Sequence, residues 1–181
     1  MSIEVTFQLS DADLEHFRHL MTTAIANAAK LPEATIKQKA AQAIAEMSSD
    51  GVPEFVTSRV ASLEALLVML DDDTWKLPEE ERQEVLTSLA YFSEPEDLVP
   101  DHIPVLGYLD DAIMIELVVQ DLSANIEAYK EFCEFREKEM ARRGVEISTE
   151  DWLASKRMEM HTRMRKRRSE RRGGRIFSRV F

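Results

Sequence analysis

Residues 110–143 read DDAIMIELVVQDLSANIEAYKEFCEFREKEMARR, and this stretch decides the fold. Its first part, residues 112–119, is apolar on nearly every side, which is typical of a buried helix. Beyond it, apolar side chains recur every three or four residues and form one stripe: Leu122, Ile126, Tyr129, Cys133 and Met140. Gly144 then follows, and glycine commonly ends a helix. The stretch therefore predicts one long helix at the centre of the fold.

Shorter helices are predicted on both sides of this central one. Four precede it, over residues 10–31, 32–49, 53–70 and 78–92, and each shows the same apolar spacing. A last helix follows over about residues 150–172. Its second half is so highly charged that we expect it to project from the body or to pack loosely.

The N-terminus shows a different pattern. Residues 3–9 alternate between apolar and polar side chains, which indicates a half-buried strand. This strand either pairs with residues 145–147, packs against helices or pairs with a second chain, so a homodimer is compatible with it. Ser10 and Asp13 then predict a capped helix start. We therefore expect an all-α fold, an irregular bundle of five or six helices with a short N-terminal β-strand.

Charge divides the chain into two parts. The 181 residues carry a formal net charge of −11. Residues 156–181 hold 11 Lys and Arg against 2 Asp and Glu, a net of +9, so residues 1–155 carry −20. We predict an acidic helical domain over residues 1–147 and a basic C-terminal helix and tail over residues 148–181. An acidic body repels nucleic acid and anionic lipid, whereas a basic segment attracts them.

The cysteine content and the N-terminus favour a cytoplasmic protein. Cys133 is the only cysteine, so no internal disulfide can form. The first residues lack the basic and apolar regions of a secretion signal, and no run of 18 apolar residues occurs. We expect a protein of the reducing cytosol, with peripheral attachment to a membrane left open.

A motif-like stretch lies ahead of the central helix. Residues 91–111 read YFSEPEDLVPDHIPVLGYLDD. Its order of a Ser and Pro pair, Asp-Leu-Val-Pro-Asp, Ile-Pro and Gly-Tyr-Leu-Asp-Asp resembles the signature of the YkvA-like bacterial family. One extra residue stands between Ser93 and Pro95, and Val99 replaces the usual Ile. The resemblance implies a small helical module of unknown function, sometimes associated with membranes, and it implies no reaction.

Four carboxylates in this stretch are candidates for a metal site: Asp97, Asp101, Asp110 and Asp111. Two prolines and a glycine fold the chain back between them, so their oxygens can converge on Mg²⁺, Mn²⁺ or Ca²⁺. Ordinary structural roles are also open, since Asp110 can cap the central helix and Asp111 suits its first turn. A metal-dependent enzyme or metal-regulated module is therefore the alternative function, and otherwise no cofactor is expected.

The preferred function uses the basic segment. Its dense cationic run comprises Arg163, Arg165, Lys166, Arg167, Arg168, Arg171 and Arg172. The residues after it place apolar side chains beside arginines: Arg175, Ile176, Phe177, Arg179, Val180 and Phe181. Such a segment can dock on an anionic membrane surface, a nucleic acid or an acidic protein, or it can offset the charge of the acidic body. We expect a non-enzymatic interaction module.

Overall fold

The computed structural model describes residues 8–28, 30–93, 108–143 and 150–170. These residues form seven α-helices, with a short 3-10 helix at Tyr91–Ser93. The helices are α1 (Asp11–Ala28), α2 (Glu33–Met47), α3 (Glu54–Asp71), α4 (Glu79–Ala90), α5 (Leu109–Asp121), α6 (Ser123–Arg143) and α7 (Glu150–Glu170). The predicted all-α class is confirmed over this part of the chain.

Two helices, rather than the predicted single one, occupy residues 110–143. α5 ends at Asp121 and α6 begins at Ser123, with Leu122 between them at φ −97° and ψ 11°. The Ser123 hydroxyl donates to the carbonyl of Gln120 over 2.8 Å. A short polar side chain that binds nearby backbone in this way competes with helical hydrogen bonds. The break raises the number of helices above the predicted five or six.

The predicted N-terminal strand is not seen where the structure describes the chain. Residues 8–9 belong to no regular element, and no strand occurs elsewhere in the four described ranges. Residues 3–7 and the suggested partner at 145–147 lie outside those ranges. At Ser10 the chain instead begins a helix, because the Ser10 N–H donates to Asp13 Oδ2 over 2.8 Å and the Asp13 N–H donates to Ser10 Oγ over 3.3 Å. These reciprocal bonds are the predicted capping box.

α5 lies at the centre of the fold, as its apolar sequence predicts. It packs chiefly on α3 and also contacts α1 and α6. Its inward side chains are almost fully buried: Ala112, Met114, Ile115, Leu117 and Val118. α2 completes the same core by packing on α3, α4 and the 3-10 helix.

Trp75, in the turn between α3 and α4, connects this core to the last two helices. Its indole is fully buried. The ring centroid lies 5.6 Å from that of Tyr129, 5.0 Å from that of Phe132 and 4.3 Å from that of His161. Because the first two residues belong to α6 and the third to α7, one side chain positions both helices against the turn.

α7 packs along α6, so the prediction that the last helix projects or packs loosely is wrong. Leu153, Met160 and Met164 are at most 4% exposed, which gives α7 one buried apolar face. The prediction took the high charge of α7 as a sign of exposure. Most of the cations instead lie beside the buried face and reach carboxylates of neighbouring helices. The division into domains at residues 147 and 148 stays a prediction.

We expect Met164→Ala to lower the free energy of unfolding by about 2–5 kcal/mol, because it empties a fully buried position on α7. Met158 is the matched control on the same helix, since its side chain is 71% exposed. Met158→Ala should change the free energy of unfolding by less than about 0.5 kcal/mol. Urea unfolding followed by circular dichroism measures both variants, and equal effects would contradict the packing of α7.

Candidate functional site

The predicted metal carboxylates lie only partly within the described chain. Asp97 and Asp101 are outside it. Asp110 and Asp111 lie in the first turn of α5, where acidic side chains favour the helix dipole, and Tyr108 rather than Asp110 is the N-cap residue. Among the described residues, no three His, Cys, Asp or Glu side chains come together as a metal site would require. The four-carboxylate site stays a prediction.

Arginines of α7 face glutamates of α6. An Arg163 guanidinium nitrogen lies 2.8 Å from a carboxylate oxygen of Glu131, and the corresponding distance from Arg167 to Glu127 is 3.0 Å. The later arginine pairs with the earlier glutamate, so the two helices run antiparallel. These pairs hold the second half of α7 along α6.

Two further arginines of α7 meet a buried carboxylate on α4. The side chain of Glu81 is fully buried, and its Oε1 lies 2.9 Å from Arg165 Nε and 3.6 Å from Arg168 Nη1. Arg168 also lies 2.5 Å from a carboxylate oxygen of Glu84 and 3.3 Å from one of Glu80. Removing one partner of a buried charge pair is strongly destabilising, so Glu81 requires these arginines. The pairs therefore hold α7 against α4 as well.

The seven residues predicted to bind a partner thus fall into three groups. The four arginines just named contact glutamates of the chain itself, which favours the alternative that they offset the charge of the acidic body. Lys166 lies exposed on the same helix. Arg171 and Arg172 are outside the described residues. A partner-binding role for these seven residues stays a prediction.

A second polar cluster, which sequence reasoning missed, lies at the end of α3. We call it the Asp72 cluster, and it comprises Asp72, Thr74, Tyr129, Arg136 and Arg157. Asp72 Oδ1 accepts the N–H of Thr74 over 2.9 Å, and Asp72 Oδ2 accepts the Tyr129 hydroxyl over 2.9 Å and Arg136 Nη1 over 2.7 Å. Arg157 of α7 donates to the carbonyl of Thr74 over 2.9 Å. The cluster therefore connects α3, the following turn, α6 and α7.

The electrostatics of the cluster follow from burial and from these bonds. Burial raises the pKa of Asp72, but hydrogen bonds from Thr74, Arg136 and Tyr129 outweigh it and lower the pKa to about 2. Burial and the bond to Asp72 raise the pKa of Tyr129 above its ordinary value. Burial likewise raises the pKa of the Cys133 thiol. At neutral pH the cluster thus holds one ionised carboxylate and a protonated phenol, and the neighbouring Cys133 is a protonated thiol.

A shallow groove with a volume of about 520 Å³ opens beside the cluster. Its lining combines apolar and charged side chains from α3 and α6: Leu67, Val68, Asp71, Asp72, Tyr129 and Arg136. The charged groups already form pairs, Asp72 with Arg136 and Asp71 with Lys37. With the phenol protonated and the carboxylates paired, this lining suits binding of a ligand better than covalent chemistry.

His161 is a second, half-buried titratable group near this turn. Its ring meets the indole of Trp75 edge-on, at an interplanar angle of 80°. Burial lowers the pKa of His161 to about 4, and the nearby charge of Arg165 contributes to the same direction. The imidazole is therefore neutral at pH 7 and serves to pack α7 on Trp75.

The sequence carries part of the signal for the Asp72 cluster. Residues 71–73 are three aspartates, and they directly follow the helix predicted over residues 53–70. The order Asp72-Asp73-Thr74 is also typical of an Asx turn, in which Asp accepts an N–H two residues on. Arg136 is 64 positions from Asp72, and a single sequence contains no sign that the two residues meet.

Residues 84–117 match the model of a family described as a protein of unknown function (DUF1232). The match includes residues 91–111 and confirms the resemblance identified there. No curated protein and no solved structure matches the chain. Within the described ranges, each helix is too short or too polar to span a bilayer.

We expect Asp72→Asn to lower the free energy of unfolding by about 2–3 kcal/mol, because it leaves the Arg136 guanidinium without its carboxylate. Asp73 is the matched control, since it is the next residue and its side chain is exposed. Asp73→Asn removes the same charge and should change stability by less than about 0.5 kcal/mol. Chemical denaturation at pH 7 measures the free energy of unfolding of both variants. Equal losses of stability would contradict a special role for Asp72.

We also expect a dependence of stability on pH that is specific to His161. Its pKa is about 4 in the folded protein and has its ordinary value of 6.5 in the unfolded chain, so the unfolded chain binds the proton more readily. The stability contributed by the neutral ring is fully present above pH 6.5 and is lost as the pH falls towards 4. In His161→Phe the melting temperature should therefore change less with pH between 4 and 6.5 than it does in the wild type.

The control for this measurement is His19→Gln, because the His19 side chain is exposed on α1. It should follow the pH profile of the wild type. A profile for His161→Phe that is as steep as that of the wild type would rule out His161 as the source.

Proposed function

We propose that this chain is a non-enzymatic interaction module that attaches to anionic membrane surfaces through its cationic C-terminal residues. The supporting observation is that some of its cations pair with glutamates of the same chain, whereas others remain to be assigned. Four arginines of α7 are paired with glutamates on α4 and α6. Lys166 is exposed, and four more arginines follow Glu170 in the sequence. These five cations are the ones we assign to a partner.

The composition after Glu170 favours lipid over other anionic partners. Residues 171–181 read RRGGRIFSRVF, with four arginines and no acidic residue. Near an anionic leaflet each Lys or Arg gains about 1 kcal/mol, and apolar side chains can enter the boundary between headgroups and acyl chains. Ile176, Phe177, Val180 and Phe181 provide that apolar component. A nucleic acid backbone would use the arginines but not the aliphatic side chains.

The acidic charge of the rest of the chain supports attachment to the membrane through the cationic residues alone. Residues 1–155 carry a net charge of −20 and would be repelled by the surface that attracts the C-terminus. Contact through the last residues would then hold the helical body away from the bilayer. The resemblance to the YkvA-like family supports the same proposal, because that family is sometimes associated with membranes.

The alternative of a metal-dependent enzyme or metal-regulated module on Asp97, Asp101, Asp110 and Asp111 stays a hypothesis. Two of its four residues lie outside the described ranges. The groove beside the Asp72 cluster favours the non-enzymatic proposal, because its carboxylates already form ion pairs, Asp72 with Arg136 and Asp71 with Lys37.

Sedimentation with lipid vesicles tests the proposal. We expect the chain to bind phosphatidylcholine vesicles that contain phosphatidylserine and to bind pure phosphatidylcholine vesicles weakly. R171Q/R172Q should weaken binding about 30-fold, since two cations at about 1 kcal/mol each are lost. K138Q/R142Q is the matched control, because it removes two charges at sites that are 77% and 68% exposed on α6. It should bind nearly as the wild type does.

Further variants distinguish lipid from the other partners. F177S/F181S should weaken binding to anionic vesicles while leaving any binding to single-stranded RNA or duplex DNA unchanged. Binding that does not depend on phosphatidylserine, or tighter binding to nucleic acid than to vesicles, would overturn the membrane proposal.

A further inference from the structure

We propose that the groove beside the Asp72 cluster binds residues 171–181 of the same chain as an intramolecular peptide. The last turn of α3 forms one side of this groove and α6 forms the other. The inference concerns the protein free of any membrane. It stands whether or not the same residues also bind lipid.

The apolar side of the groove is open to solvent. Val68 is 59% exposed, although its neighbours Leu66, Met69 and Leu70 on α3 are buried. Leu67 beside it is half-buried. An aliphatic side chain that lines a concave surface gains by being covered. Residues 176–181 contain two aliphatic and two aromatic side chains that are suited to cover it.

The end of α3 that borders the groove is electronegative. Asp71, Asp72 and Asp73 are consecutive, and the C-terminal carbonyls of this 18-residue helix add the negative end of its dipole. Lys37 and Arg136 pair with the first two of these carboxylates. Asp73 is exposed next to them. A segment with four arginines and no acidic residue complements this surface.

The C-terminal segment is long enough to run back along α7 to the level of the turn that follows Asp72. Arg157 and His161 contact Thr74 and Trp75, so the middle of α7 lies beside the turn that follows Asp72. From Glu170 back to His161 is nine residues of helix, or about 13 Å. Six extended residues span about 20 Å. Residues 176–181 can therefore return to the level of the groove.

Covalent continuity favours binding in cis over binding of a second copy. A connection of only a few residues within one chain gives an effective concentration in the millimolar range. Weak contacts with Val68 and the aspartates are then enough to hold the segment of the same chain in the groove. The segment of a second molecule at micromolar concentration competes poorly for this site. Gly173 and Gly174 give the chain the conformational freedom to reverse direction.

Disulfide trapping in the full chain tests this inference. In a C133S background, V68C/F177C should form an intramolecular disulfide in oxidised glutathione at least about fivefold faster than M158C/F177C, because docking raises the effective concentration only for the first pair. Met158 is a matched control, since it is 71% exposed and lies twelve residues before Glu170 on α7. Non-reducing electrophoresis and peptide mapping measure the products.

A second pair of substitutions tests the electrostatic part. D71N/D73N in the V68C/F177C chain should slow the trapping towards the rate of the control pair. Equal rates for V68C/F177C and M158C/F177C would overturn the inference, and so would products that are mainly disulfide-linked dimers. Either failure leaves the vesicle experiment unaffected, so the two proposals fail separately.

Discussion

The carboxylate of Asp72 is the interaction on which the arrangement of the last helices depends. It is ionised at neutral pH and its side chain is only 9% exposed, so it requires several donors. Thr74, Trp75, Tyr129 and Arg136 provide them. The bond from the backbone N–H of Trp75 to Asp72 Oδ1 also fixes the turn that carries the indole into the space between α6 and α7. One polar group therefore determines where a large apolar side chain packs.

Charge matching between α7 and the body is the second constraint. A body with a charge of −20 repels itself, and a neighbouring helix of opposite charge reduces that repulsion. The fully buried Glu81 makes this contact specific, because its charge is stable only with Arg165 and Arg168 beside it. The result is a helix that is highly charged in sequence and closely packed in the structure.

Both described parts of the segment that matches DUF1232 contribute residues to the core. Leu86, Leu89 and Phe92 are buried at one end of the match, and Ile115 and Leu117 are buried at the other. The family match therefore includes residues that pack the helices together. The groove and the basic residues of α7 lie outside residues 84–117, so the proposals made for them are specific to this chain.

The sequence by itself determined the helices, because apolar spacing and capping are local. The box of Ser10 with Asp13 and the buried faces of α2 to α5 are visible in short windows. The break at Leu122 is also local in origin, because the Ser123 hydroxyl donates to the carbonyl of Gln120, although apolar spacing did not predict it. Only the tertiary structure decided the docking of α7, the partnership of Asp72 with Arg136 and the groove between α3 and α6. Each of these depends on groups far apart in the chain, and a sequence shows a charge without showing which opposite charge will neutralise it.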